Sequence, residues 1–314
     1  MIKICVVIVN YKTPELVLNC LVTIEREIDS EEDRVVIVDN NSADNSIEFL
    51  NKVIKNRSWG TWASIIHSPI NGGFSSGNNL GIKSVNAEMY LLLNSDTFVR
   101  SGAIGALARE LKNNNRLGVI GPRLEYDDGI AQTSCFRNRT PFNEILRSAA
   151  TGPITKLANS IGVREVTLPV SDDSFEPDWL SFACVMIRKE VFETTGYLDD
   201  GYFMYLEDND FCRRVKKMGW CIQYEPLARV VHLNKGASSL GVKRQPHYYY
   251  MSRSRYLRKF YGRLGLLTAN ILWSIGRLIS LSRENLGNKK PHLPEKSWRD
   301  IWIGFLKYGI KSFG

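Results

Sequence analysis

Met89-Tyr90-Leu91-Leu92-Leu93-Asn94-Ser95-Asp96 is an apolar run closed by three polar residues. A strand whose apolar residues do not alternate is covered on both faces, and such strands belong to parallel sheets. Outward from this run the first 121 residues repeat the pattern. Further strands are expected at Ile2–Val9, Arg34–Asp39, Trp62–His67 and Leu117–Gly121. Helices are expected at Pro14–Ile28, with Pro in the first turn, after a cap at Asp44, and at Ser75–Val85 and Gly102–Asn113. The fold class is α/β, with a mostly parallel central sheet flanked by helices.

In such sheets ligands sit at the carboxyl ends of strands. The ends here read Asn10-Tyr11, Asp39-Asn40-Asn41-Ser42, Asn71-Gly72-Gly73-Phe74 with Gly77-Asn78-Asn79, and Asn94-Ser95-Asp96. One Asp after a strand is equally a helix cap. A succession of polar strand ends reads as one cleft. Asp39 can accept from the N3–H of a pyrimidine. The glycine loop lets backbone N–H groups approach a phosphate or ribose. Asp96 can hold a hard divalent cation bridging a diphosphate. The loop matches neither GxGxxG nor a Walker loop, which removes the main support for dinucleotide and ATP sites.

A second constellation is Tyr205-Leu206-Glu207-Asp208-Asn209-Asp210-Phe211-Cys212-Arg213-Arg214. Its carboxylates open a helix with Phe211, Val215 and Met218 as the apolar stripe and Gly219 as the stop. Acid capping of a helix dipole accounts for such a pattern by itself. A proton-accepting site accounts for it too, and Asp210 is expected to pair with Arg213 or Arg214. Residues 122–177 hold no usable motif and read as a partly mobile insert over the cleft. Trp179–Ile187 reads as a strand, Arg188–Thr194 as a short helix, and Cys221–Pro226 and Ala228–His232 as short strands.

Six scattered cysteines without a CxxC pair exclude a zinc ribbon and fit a reducing compartment. The apolar N-terminus lacks the basic start and small-residue cleavage site of a signal peptide. The net charge of +8 is uneven: residues 235–314 carry 16 Lys and Arg against 3 Asp and Glu, while the remainder is mildly acidic. Gln245–Ser282 reads as a helix rich in Arg and Lys. A spanning helix over Leu264–Ser282 is marginal, because Asn270, Arg277 and glycines interrupt it. Ser297-Trp298-Arg299-Asp300 resembles a capping box opening a helix with Trp298, Ile301, Trp302 and Phe305 on one face, and Lys307 and Lys311 near its end. Such a tail suits an anionic membrane surface. The other reading packs these apolar faces on the rest of the chain or on a second subunit as a homo-oligomer. No recognition fold accompanies the charge, so nucleic acid is not expected.

The order Val-Ile-Val-Asn-Tyr, Val-Asp-Asn-Asn-Ser, Asn-Gly-Gly-Phe, Leu-Leu-Asn-Ser-Asp, Trp-Leu-Ser-Phe-Ala, Phe-Met-Tyr-Leu-Glu-Asp-Asn-Asp and Val-His-Leu resembles glycosyltransferase family 2, with the GT-A fold, and within it the bacterial rhamnosyltransferase-like group. The likeness covers about residues 2–240. It implies an inverting, metal-dependent hexosyl transfer from a nucleotide diphosphate sugar (dTDP- or UDP-sugar, rhamnose in that group) to a lipid-linked or polysaccharide acceptor. It further implies a cytoplasmic enzyme, peripheral on the inner face of the plasma membrane. Carried over, Asp208 is the catalytic base, and Mg2+ or Mn2+ is held by Asp96 and His232. Asn10, Tyr11, Asp39, Asn41, Gly72, Gly73, Phe74, Asn78, Asn94, Ser95 and Asp96 line the donor site. Trp179, Ser181, Phe182, Tyr205 and Glu207 line the acceptor pocket. Two departures stand out: Asn94-Ser95-Asp96 keeps one carboxylate of the usual DxD, and Phe182 replaces a Gly. The expected domains are a catalytic domain at 1–240, with a nucleotide-binding half at 1–121 and an acceptor-binding half at 122–240, and a basic amphipathic helical region at 241–314. A non-catalytic nucleotide-sugar-binding scaffold and a nucleotidyltransferase are the rival classes, the latter lacking its basic, Gly-rich N-terminal signature.

Overall fold

Val6, Val7 and Ile8 have no exposed surface, so both faces of the first strand are covered, which is why its apolar residues do not alternate. The structure, a computed structural model, describes residues 2–234, 244–287 and 291–309. The expected boundary at 240/241 and the basic residue Lys311 lie outside the described residues. In chain order the first elements are β1 (Ile2–Asn10), α1 (Pro14–Ile24), β2 (Arg34–Asp39), α2 (Ser46–Asn56), β3 (Ala63–His67), α3 (Gly73–Ser84), β4 (Ala87–Asn94), β5 (Thr97–Val99), α4 (Ala103–Asn113) and β6 (Leu117–Glu125). They are followed by β7 (Cys135–Phe136), α5 (Glu144–Ala149), α6 (Gly152–Ser160), β8 (Trp179–Leu180), β9 (Cys184–Arg188), α7 (Lys189–Thr195), α8 (Glu207–Lys217), β10 (Cys221–His232), α9 (His247–Gly287) and α10 (Ser297–Gly304).

The chain divides into two units. The first comprises Met1–Phe136, Leu168–Phe203 and Glu207–Leu240, and the second Arg137–Thr167, Met204–Leu206 and Gly241–Gly314. In the first, one sheet runs β3-β2-β1-β4-β9-β6-β10-β5. The strands β1 to β4 are parallel, with Asn10 level with Asp39 and Val9 level with Asn94. That register brings the polar strand ends to one edge.

The sheet is mixed beyond β4, because β9 enters antiparallel between β4 and β6. The sequence reading of Trp179–Ile187 as one strand divides here. Trp179–Leu180 pairs with β7 in a small separate sheet, Ser181 to Ala183 turn the chain, and β9 then joins the main sheet. The two strands expected between 221 and 232 are one, β10, with a register shift between Glu225 and Arg229. Pro226 lies in that shift and has no N–H to give a ladder. In α8, Phe211 and Val215 are fully buried, whereas Met218 lies past the helix end and is 54% exposed. Gly219 stops the helix at φ 88°.

The second unit consists of α5, α6, α9 and α10. The long α9 is broken at Gly262 (φ 68°, ψ −172°), the glycine interruption visible in the sequence. Its second arm buries Leu266, Ala269, Asn270, Trp273 and Ser280, and leaves Leu264, Ile271, Ile275 and Leu278 exposed. By length and composition α9 can cross a membrane, and a third of its apolar window is buried inside the protein. The expected capping box does not form. Ser297 donates to the Pro294 carbonyl instead, and Asp300 pairs with Arg244. Of the residues expected on the apolar face of α10, Ile301 joins Tyr249, Tyr250 and Trp273 in a small core, with Trp298 against it, while Trp302 and Phe305 are half-buried.

Candidate active site

At the end of β1, Asn10 is fully buried and donates from Nδ2 to Asp39 Oδ1 at 2.8 Å. Ser42 folds back on the same carboxylate, its Oγ donating to Oδ1 at 2.6 Å and its N–H to Oδ2 at 3.1 Å. Asn41 takes a left-handed φ of 57° in the turn that allows this return. Buried carboxylates need such donors, because burial without them disfavours the charge. Asn10 Oδ1 accepts from the Thr13 N–H at 3.2 Å, and Thr13 Oγ1 lies 3.2 Å from Ser95 Oγ. A continuous polar chain therefore runs from Asp39 at the end of β2 to Ser95 beside Asp96. Tyr11 stays half-buried at this edge, with Lys12 Nζ 5.5 Å from its ring centre.

The end of β10 meets the same place. The Leu233 N–H donates to the Asp96 carbonyl at 2.9 Å, and His232 Nε2 lies 3.5 Å from Asp96 Oδ1 and 3.5 Å from Asn94 Nδ2. On the other side of the ring, His232 Nδ1 lies 3.3 Å from Gln132 Oε1. Gln132 Oε1 can accept from Nδ1–H, which turns Nε2 toward Asn94 and Asp96. Gln132 is itself fixed by donating to the carbonyls of Glu125 and His232. A ligating imidazole oriented through its second nitrogen is the usual arrangement at metal sites. Among the described residues no third His, Cys, Asp or Glu joins these two. A pair of protein donors fits Mg2+ or Mn2+ where phosphate oxygens and water complete the coordination, and does not fit a cage made by protein alone.

The acidic helix start is reached through packing. Ser181 N–H donates to the Ser134 carbonyl at 2.9 Å, two residues beyond Gln132. Phe182 is 3% exposed and meets Phe211 edge-on at 5.9 Å, so the Phe that replaces a Gly anchors α8. Trp179 stacks on Phe136 at 4.1 Å. Asp210 is fully buried and accepts from Arg214 Nε at 2.8 Å, the pairing expected one turn away. Asp208 is half-buried, and its Oδ1 accepts from the Asn209 N–H at 2.8 Å. Tyr205 and Leu206, just before the helix, both have left-handed φ values of 73° and 67°. Non-glycine residues in that region cost about 1 kcal/mol or more each. The Tyr205 ring stacks on Tyr248 at 5.9 Å within the second unit.

Glu207 is 6% exposed, and its Oε2 has no hydrogen-bond partner among the described residues. Burial, then the charges of Asp208 and Asp210, push its carboxyl well above the ordinary value of 4.5. A raised carboxyl is stabilising while protonated and loses that contribution as pH rises from the unfolded value through the folded one. Glu207→Gln is therefore expected to lessen the loss of stability as pH rises above 4.5. Parallel melting curves of wild type and variant from pH 5 to 9 check this; identical slopes would mean that Glu207 ionises freely.

The glycine loop has a local cause that spacing did not reveal. A Cβ on Gly73 (φ 82°) would stand 2.0 Å from the Phe203 carbonyl oxygen, and the Phe74 N–H donates to that oxygen at 2.8 Å. One on Gly72 would meet Ser76. Asn78 is 1% exposed and donates to the Phe74 carbonyl at 2.9 Å. These residues thus shape the strand-to-helix turn before any ligand is considered. Gln132 and Thr13 were missed from the sequence, Gln132 because it lies in the motif-poor insert. Ser42 was visible as the last residue of Asp39-Asn40-Asn41-Ser42, without its role in holding Asp39.

Residues 5–160 match the family model of Glycosyl transferase family 2. The chain is 32% identical over 219 residues to the low-salt glycan biosynthesis hexosyltransferase Agl10 of Haloferax volcanii, covering 68% of this chain and 61% of that protein. It is 30% identical over 146 residues to the N-acetylglucosaminyl-diphospho-decaprenol L-rhamnosyltransferase of Mycobacterium tuberculosis, covering 45% of this chain and 46% of that protein. The matches thus span less than two thirds of either relative's length. The solved structure of GalNAc-T7 with UDP, GalNAc and Mn2+ superposes with a TM-score of 0.60 at 14% identity, covering 98% of this chain and 58% of that one. That likeness concerns the fold, a GT-A sheet flanked by helices. With the family's region spanning β1 to α6 and rhamnosyltransferases among its relatives, the chain belongs to glycosyl transferase family 2.

Proposed function

We propose that the protein is an inverting glycosyltransferase that moves a sugar, rhamnose from dTDP-rhamnose, onto a lipid-linked or polysaccharide acceptor in cell-surface glycan synthesis. It works in the cytoplasm at the inner face of the plasma membrane. The observation that carries this reading is the hydrogen-bonded line of strand ends from Asp39 through Asn10 and Thr13 to Ser95, next to the Asp96–His232 pair. Among the described residues Asp39 Oδ2 accepts one hydrogen bond, which leaves a lone pair for the N3–H of a pyrimidine. Asp96 and His232 would hold the Mg2+ or Mn2+, which when bound supplies Lewis-acid stabilisation of the leaving diphosphate. The relative in Mycobacterium tuberculosis is named for rhamnosyl transfer to a diphospho-lipid, which supports donor and acceptor class alike. In the reaction an acceptor oxygen attacks the anomeric carbon, the bond to the diphosphate oxygen breaks, and Asp208 takes the acceptor's proton.

The test is a transfer assay with dTDP-rhamnose, UDP- and GDP-sugars on a lipid diphosphate sugar acceptor, with Mg2+, Mn2+ or chelator. Transfer is expected from dTDP-rhamnose, with inverted anomeric configuration, and loss in chelator. Release of pyrophosphate, or nucleotide binding without transfer from any donor, would overturn the proposal. Unchanged turnover in chelator would remove the cation from it.

A further inference from the structure

The second unit contains a buried charge cluster that sugar transfer does not use. Arg253 is 1% exposed; its Nε donates to Glu144 Oε2 at 2.9 Å and its Nη1 to Asn270 Oδ1 at 2.7 Å. Arg139 Nη1 lies 3.5 Å from the other Glu144 oxygen. Arg147, one turn along α5 from Glu144, is exposed, and its guanidinium sits 5.0 Å from the Tyr249 ring centre. Three guanidinium groups thus surround one carboxylate, and among the described residues no second carboxylate pairs with them. Burial pushes the Glu144 carboxyl up, yet Arg253, Arg139 and Arg147 together hold it below its ordinary value.

The donors of this cluster are under-used as well. Arg139 Nη1 at 3.0 Å and Arg147 Nη1 both donate to the Tyr249 hydroxyl, so two cations converge on one neutral oxygen. Arg139 Nε, Arg253 Nη2 and Asn270 Nδ2 are buried without a hydrogen-bond partner among the described residues, Arg253 Nη2 meeting Glu144 only as an ion pair at 2.9 Å. An anionic oxygen is a stronger acceptor than a phenol for guanidinium donors, and phosphate matches their fork geometry. Excess buried positive charge is costly unless an anion offsets it.

We propose that Arg139, Arg147 and Tyr249, backed by Arg253, form a binding site for a phosphate or diphosphate group. Arg147 is the entry, being the exposed member. Arg253 and Asn270 lie behind it and fix the positive field. The group can come from a free inorganic anion or from a prenyl diphosphate, and the two sources share this chemistry.

The experiment is calorimetric titration of the full chain, in chelator, with inorganic pyrophosphate and separately with geranyl diphosphate. The wild type is expected to bind, and Arg147→Gln and Arg147→Glu to weaken binding by about tenfold to a hundredfold. Arg147→Lys is expected to fall between them. Melting temperatures of the Arg147 variants are measured alongside, and the loss of binding is read at temperatures where each variant is folded. Equal affinity for both ligands assigns the site to a free anion; tighter geranyl diphosphate, lost equally in Arg147→Glu, assigns it to a lipid. No binding by wild type, or binding that Arg147→Glu leaves unchanged, overturns the proposal. The readout is binding in the absence of metal, so it is independent of the transfer assay.

Discussion

Asp208→Asn is expected to lower sugar transfer by about a hundredfold to ten thousandfold while leaving donor affinity unchanged. The amide has the size of the carboxylate and can still accept from the Asn209 N–H through its oxygen, as Asp208 does at 2.8 Å. What it cannot do is take a proton from the acceptor hydroxyl. Donor affinity is spared because the strand-end line through Asp39, Asn10 and Ser95 contains no residue of α8. The neighbouring carboxylates do not replace Asp208. Asp210 is fully buried against Arg214, and Glu207 is 6% exposed with its carboxyl pushed up by burial and by its acidic neighbours, so neither presents an open carboxylate to an acceptor. Glu207→Gln should accordingly keep most of the activity, since the side chain is 6% exposed and the amide keeps its size. Steady-state turnover with donor affinity measured separately distinguishes the cases. Near-normal turnover in Asp208→Asn, or a larger loss in Glu207→Gln, would move the base elsewhere.

The parallel half of the sheet was readable because its cause is local: runs such as Val6-Val7-Ile8 and Leu91-Leu92-Leu93 tolerate water on neither face. Pro14 at the start of α1 and Gly219 after α8 were readable for the same reason, each setting its own backbone. Strand order was not. Nothing in Cys184–Arg188 says that it inserts antiparallel between β4 and β6, because pairing partners are chosen by tertiary fit. In the site, Asp39, Asn94 and Asp96 stood out as polar ends of apolar runs. Gln132 did not, since its role depends on a histidine one hundred residues away. Gly72-Gly73 was read as a ligand loop from spacing, and the Phe203 carbonyl that demands Gly73 could not be foreseen. In the tail, the amphipathic pattern of Trp298, Ile301 and Trp302 was real. A pattern fixes which face is apolar without fixing what covers it, and here Tyr249, Tyr250 and Trp273 cover Ile301.

Glu144→Ala is expected to destabilise the protein by about 3–5 kcal/mol, the range seen when one member of a buried ion pair is removed. Glu144 is 1% exposed and is the carboxylate against which Arg253 and Arg139 are set. Without it, Arg253 remains 1% exposed with Asn270 Oδ1 as its hydrogen-bond acceptor, and Arg139 loses the same carboxylate. The loss therefore reflects the stranded cations more than the missing contact, and a second substitution separates the two. Glu144→Leu with Arg253→Met replaces the pair by apolar groups of similar volume, and such exchanges are close to neutral. The double variant should recover most of the loss. Denaturant unfolding of the single and double variants checks this. A cost below about 1 kcal/mol for Glu144→Ala would mean that water or an anion already neutralises the arginines. Pyrophosphate provides the cross-check: if the cluster takes an anion, the ligand should stabilise wild type and stabilise Glu144→Ala more, because one more positive charge then faces the same phosphate.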